Sequence, residues 1–155
     1  MSPTVLDRAA IEARLPHREP FLFLDRVVAL EAEGEHPSLT AEWRVDAAAH
    51  FFRGHYPGNP ITPGVILCEH TFQAAAVLLS ARGTAFGATS DVPVLARIER
   101  AKFKRMVRPD ETLRTRVTLV ESVGPASFFE AKAKVGEETA LELRCVLSRA
   151  GRSEE

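Results

Sequence analysis

The sequence is short of the residues that mark several protein classes. Its 155 residues include only two cysteines, Cys68 and Cys145, far apart and in neither a metal-binding nor a redox spacing. That excludes a disulfide scaffold and points to a reduced, cytoplasmic protein. The longest uninterrupted aliphatic stretch, residues 74–79, is six residues long, against the roughly 20 of a membrane helix. Residues 1–15 carry Asp7, Arg8, Glu12 and Arg14, so they offer no apolar leader core. No repeat, low-complexity tract or linker divides the chain. A single domain over 1–155 is expected, with 149–155 as a frayed polar tail.

What is present is ordinary in amount: 45% hydrophobic and 26% charged residues, as in soluble globular proteins. The charge is unevenly placed. Residues 97–116 hold eight basic residues against Glu99, Asp110 and Glu111, so this segment is +5 in a chain of net charge −1. A local basic patch on an otherwise acidic chain fits an anionic partner docking at one place, or a solvated face of alternating strands.

Hydrophobic periodicity sets the expected elements. Residues 4–15 read as a short helix ended by Pro16. Residues 21–31 are apolar and β-prone. Leu39, Ala41, Trp43 and Val45 alternate with polar residues, as in a half-buried strand. The same alternation marks strands around Leu113–Leu119, Phe129–Val135 and Leu141–Leu147, joined by short turns, and 94–104 is a further strand. Between them a helix from an N-cap at Thr62, with Pro63 in its first turn, runs through Ser80 and has almost no polar face. Such a helix is buried. The fold class is therefore α+β, a curved antiparallel sheet wrapped around one long buried central helix.

One stretch is chemically unusual. Residues 54–64 hold three prolines and three glycines around His55, which specifies a fixed, irregular backbone carrying an imidazole, as a positioned general base requires. Glu69 falls in the second turn of the buried helix, where desolvation raises a carboxyl toward the range of a proton donor. Gln73, one turn on, faces the same way. His70 points about 100° away around the helix. The first amides of the helix, from Gly64 onward, could polarise a substrate carbonyl. Each feature alone also has a purely structural reading: a satisfied polar histidine, a capping carboxylate, a good helix start.

Taken together and in order, Leu15-Pro16-His17-Arg18-Glu19-Pro20-Phe21-Leu22 with Asp25-Arg26-Val27, Gly54-His55-Tyr56-Pro57-Gly58-Asn59-Pro60, Pro63-Gly64-Val65, Glu69 and Gln73 resemble the FabZ-type 3-hydroxyacyl-[acyl carrier protein] dehydratases. Ala101-Lys102-Phe103-Lys104-Arg105 followed by Pro109 is similar too. The resemblance implies a hotdog fold, His55 as the base that removes the C2 proton, and Glu69, supplied across a dimer, as the acid for the departing 3-hydroxyl. It implies Gly64 as the thioester-carbonyl amide, and no metal or organic cofactor. Its implied partner is an acyl carrier protein with a phosphopantetheine-linked acyl chain, met by Lys102, Lys104 and Arg105. The implied assembly is a homodimer, in this family often grown to a trimer of dimers, with no nucleic acid and no membrane. The chain departs from the family pattern at His70-Thr71-Phe72, at Met106 and at Asp110-Glu111, and residues 81–96 lack the tyrosine that many members use as a tunnel gate.

Other readings stay open at this level. A non-catalytic acyl-thioester or carrier-binding module would keep the fold without turnover. An acyl-thioester hydrolase needs no His-Pro-Gly loop, and a dehydratase–isomerase typically carries Asp where this chain has Glu69.

Overall fold

The computed structural model describes residues 2–86 and 91–151. The period-2 runs form the sheet: β1 (Arg26–Glu31), β2 (Ser38–Arg44), β3 (Val92–Phe103), β4 (Thr112–Val123), β5 (Ala126–Val135) and β6 (Glu138–Ala150). All pairings are antiparallel, in the spatial order β1-β2-β4-β5-β6-β3. The β4–β5 and β5–β6 hairpins turn at Gly124 and Gly136, both at φ 58°, where a side chain would be strained. Two α-helices, α1 (Arg8–Arg14) and α2 (Gly64–Ala81), and a 3₁₀ turn at His50–Arg53 complete the described chain.

One face of the sheet is apolar by alternation. Leu39, Ala41 and Trp43 on β2, Leu113, Val117 and Leu119 on β4, Phe129 and Ala133 on β5, and Leu141, Leu143, Cys145 and Leu147 on β6 are all buried. Against them lie Leu67, Cys68, Phe72 and the unbroken run Ala74–Leu79 of α2. Each large side chain in this interface contributes about 1.5–3 kcal/mol by leaving water. Among the described residues α2 alone has the length and apolarity of a membrane span, but 67% of it is buried inside the protein, where it is the core helix.

Several boundaries differ from the sequence expectation. The first helix starts at Arg8, because the Asp7 carboxylate caps it by accepting from the Ala10 amide at 2.9 Å. Residues before it lie along β1 instead, with the Val5 amide bonded to the Val27 carbonyl at 2.8 Å. Thr62 is not the N-cap of α2. That position belongs to Pro63 in extended geometry, and the Thr62 amide is already spent on the Val107 carbonyl at 2.8 Å. Of residues 21–31 only Arg26–Glu31 are strand. The expected fray also starts too early: Ser148, Arg149 and Ala150 pair with Val94, Pro93 and Val92, because the longer β3 supplies them a partner. The end of that tail, 152–155, lies outside the described residues, as do residues 87–90 of the segment without a gating tyrosine.

Candidate active site

His55 sits in the connection between β2 and α2, where the prolines and glycines hold the backbone by its own hydrogen bonds. Tyr56 and Asn59 exchange amide–carbonyl bonds at 3.0 and 2.9 Å, with Gly58 at φ 73° inside the turn. The Ile61 amide donates to the His55 carbonyl at 3.1 Å. Arg108 ties the loop to the sheet end by donating to Asn59 Oδ1 at 3.0 Å. The imidazole itself is oriented by the Ile61 carbonyl, 2.8 Å from Nδ1. A carbonyl only accepts, so Nδ1 carries the hydrogen and Nε2 of the neutral ring keeps its lone pair. That is the tautomer of a base. The Tyr56 ring stacks on it at 4.0 Å between centroids.

Glu69 projects from the second turn of α2 into a cavity of about 50 Å³, shared with His17, Phe72, Gln73, Leu95 and Leu147. Burial holds its carboxyl above the usual carboxylate range, opposed by a hydrogen bond from Gln73. Gln73 is buried and its orientation has no freedom. Its Oε1 accepts from the Phe23 amide at 2.7 Å, so its Nε2 faces the Phe21 carbonyl and Glu69 Oε1, both at 3.1 Å. The sequence placed Gln73 on this face. It gave no role to His17, whose Nε2 lies 3.6 Å from Glu69 Oε1. The signal lies in Leu15-Pro16-His17-Arg18, a stretch whose side-chain destinations only the fold reveals.

His70, next in sequence, belongs to the core. Nδ1–H donates to the Phe23 carbonyl and Nε2 accepts from the Thr115 hydroxyl, both at 2.7 Å, and the ring stacks on Trp43. Complete burial pushes its pKa down to about 4, so it stays neutral. It joins α2 to β4 and to the loop before β1.

At the start of α2 the amides of Ile66 and Leu67 reach the Pro63 carbonyl, whereas those of Gly64 and Val65 meet no acceptor among the described residues. Those two carry the positive end of the helix dipole. Gly64 is closely approached: a Cβ there would lie 3.0 Å from the ring of the half-exposed Phe103.

The basic segment is partly neutralised within the chain. Lys104 pairs with Glu142 at 2.9 Å. Arg105 makes two 2.8 Å bonds to Glu111 and a longer one to Glu138, and these carboxylates raise its pKa further. Lys102 has no ion-pair partner among the described residues. Among those residues no group of His, Cys, Asp and Glu is placed to hold a metal.

Within one chain His55 does not line the Glu69 cavity. The outer edge of β3, with no strand beyond it among the described residues, carries exposed Leu95, Ile98 and Phe103, near exposed Val65 and Met106. An unpaired edge with apolar side chains is a surface for another strand.

Residues 15–144 match a family model described as a FabA-like domain. Relatives named 3-hydroxyacyl-[acyl-carrier-protein] dehydratase FabZ include one from Desulforamulus reducens, 38% identical over 138 residues, covering 89% of this chain and 93% of the relative. Another, from Caulobacter vibrioides, is 35% identical over 139 residues, covering 90% and 85%. Among solved structures, the dehydratase heterocomplex ApeI:P from Xenorhabdus doucetiae aligns with a TM-score of 0.73 over 92% of this chain and 91% of that one. Its sequence identity is 13%, so this likeness speaks for the fold alone, the hotdog.

Proposed function

The chain belongs to the FabZ-type dehydratases within the FabA-like domain family, and from that premise we infer how its residues take water out of a 3-hydroxyacyl thioester carried on acyl carrier protein. The enzyme is a lyase of fatty-acid synthesis. His55 Nε2 removes a proton from C2, the freed electron pair becomes the C2–C3 double bond, and the C3–O bond breaks. Glu69 gives its proton to the departing hydroxyl, so the products are the trans-2-enoyl thioester and water. His55 is left as imidazolium and Glu69 as carboxylate, and returning one proton from the first to the second resets the site.

The chemistry needs both ends. A proton beside a thioester is only weakly acidic, so the Gly64 and Val65 amides polarise the carbonyl while the base acts. Hydroxide leaves poorly, so a proton donor is required, and burial shifts the Glu69 carboxyl toward its protonated form. The observation that carries the assignment is the pairing of these states. The loop fixes His55 with a free Nε2, and the cavity keeps Glu69 above the usual carboxylate range.

The working unit is a homodimer, in which His55 meets Glu69 of the partner subunit. The exposed apolar edge at β3 supports this reading, as does the separation of the two residues within one chain. In this family such dimers often assemble further, into trimers of dimers. The carrier is acidic, and Lys102 and Lys104 meet it, with Arg105 behind them in its cage of carboxylates. The location is cytoplasmic, which suits two buried free thiols. The test is turnover of a 3-hydroxyacyl carrier to the conjugated enoyl product. His55→Ala and Glu69→Gln are each expected to lose at least about a hundredfold in kcat with the fold intact. Activity that survives His55→Ala overturns the assignment.

A further inference from the structure

Among the described residues, two buried side-chain polar atoms lack a hydrogen-bond partner: Oγ1 of Thr62 and Nδ1 of His17. The second belongs to a ring whose other nitrogen points at the acid, 3.6 Å from Glu69 Oε1, across the same small cavity. We propose that His17 is a positioning residue for Glu69, presenting Nε2–H to Oε1 so that the transferable proton stays on Oε2 and the carboxylate left after transfer is steadied. Its catalytic consequence rests on the dehydratase reading.

The tautomer follows from what each nitrogen faces. A hydrogen on Nδ1 would be buried with no acceptor, and an orphaned N–H is a costlier defect than a bare lone pair. On Nε2 the same hydrogen faces a carboxyl oxygen. Gln73 already donates to that oxygen at 3.1 Å. Two donors converging on Oε1 make it the carbonyl-like oxygen of the neutral acid and leave the O–H on Oε2. The separation also has a use. At 3.6 Å the His17 contact is loose, and it tightens only when Glu69 gains a full negative charge. A contact that strengthens as the proton leaves lowers the barrier and not merely the ground state.

The ring must be neutral, because an imidazolium here would hold Glu69 ionised and remove the acid. Burial, and then the charge of Arg18, disfavour the imidazolium. The titratable groups facing the pair are few. Glu69 and Cys68 come from α2 and Arg18 from the loop itself, while Pro93, Val94 and Leu95 of β3 and Leu147 of β6 bring no charge.

Nitrogen NMR of the wild-type histidines reads the tautomer without any mutation. Nε2–H at His17 is expected, and Nδ1–H overturns the proposal. Carbon NMR of the Glu69 carboxyl, identified by its disappearance in Glu69→Gln, then follows its titration in the wild type, His17→Phe and His17→Gln. His17→Phe is expected to raise the Glu69 midpoint by about half to one pH unit, and kcat falls about tenfold with KM nearly constant. His17→Gln keeps an N–H and restores most of both. An unmoved midpoint in His17→Phe, or a His17→Gln as impaired as His17→Phe, overturns the role. A wild type that turns over no 3-hydroxyacyl carrier while the Glu69 midpoint still moves overturns the dehydratase reading alone.

Discussion

His70 and Thr115 share a 2.7 Å hydrogen bond in the dry centre of the molecule, with the imidazole accepting and the hydroxyl donating. The pair spans α2 and β4, and the imidazole accepts there only while the ring is neutral.

Folding stability therefore depends on pH through His70. Its folded pKa, about 4, lies below the ordinary value of 6.5, so the unfolded chain binds the extra proton first. The contribution is complete above pH 6.5 and is lost as pH falls toward 4, to an extent on the order of 3 kcal/mol. Denaturant midpoints at pH 7.5 and 5 should drop accordingly in the wild type. The drop should shrink in His70→Gln, whose own baseline is lower.

Gln73→Ala should act on stability and chemistry together. It leaves the Phe23 amide and the Phe21 carbonyl without their partner, a loss of about 1–3 kcal/mol. It also removes a donor that favours the Glu69 carboxylate. The basic limb of the kcat profile should move to higher pH, and an unmoved limb would show that the amide does not govern the acid.

Gly64→Ala separates a chemical effect from a structural one. The new Cβ presses on the Phe103 ring, which is half exposed and free to turn aside. The melting temperature should stay within about 4 °C of the wild type. On the proposed reading the methyl group also crowds the amide that receives the thioester carbonyl, so kcat/KM should fall at least about tenfold. Unchanged kinetics would remove Gly64 from the site.

Complementation tests the shared site. His55→Ala and Glu69→Gln are each inactive, but a mixed dimer holds one site with both residues intact. Mixing and re-equilibrating the two should recover about a quarter of wild-type activity, because half the dimers are mixed and half their sites are whole. No recovery would mean that each subunit uses its own pair.

Carrier docking should be read at Lys102. Lys102→Glu should raise KM for a carrier-bound substrate several-fold, and less at high salt, while a short free thioester is turned over as before. Arg105→Glu should mainly lower stability, because it turns the Glu111 and Glu138 contacts into repulsion.

Much of the fold was legible because alternation has few outcomes. The runs around Leu113, Phe129 and Leu141 had to be strands, and the apolar helix had to be covered by them. The boundaries that slipped were set by single hydrogen bonds, such as the Asp7 cap, or by a partner elsewhere in the chain, as with Val92–Val94 for the last strand. The His55 loop was legible from its prolines and glycines. Glu69 and Gln73 were legible from helical spacing. His17 was not, since nothing local says that a side chain 52 residues upstream returns to Glu69. The ion pairs that quiet Lys104 and Arg105 also join distant strands, and charge counting along the segment could not foresee them.

The short stretch from Phe21 to Phe23 grips α2 twice, at Gln73 through two peptide groups and at His70 through a third. That wiring makes Glu69 a poor candidate for transplantation. Grafting a different sequence into this stretch would reset the amide that aims Glu69. An engineer who exchanges specificity elements between relatives would have to move this stretch and the first turns of the helix as one cassette.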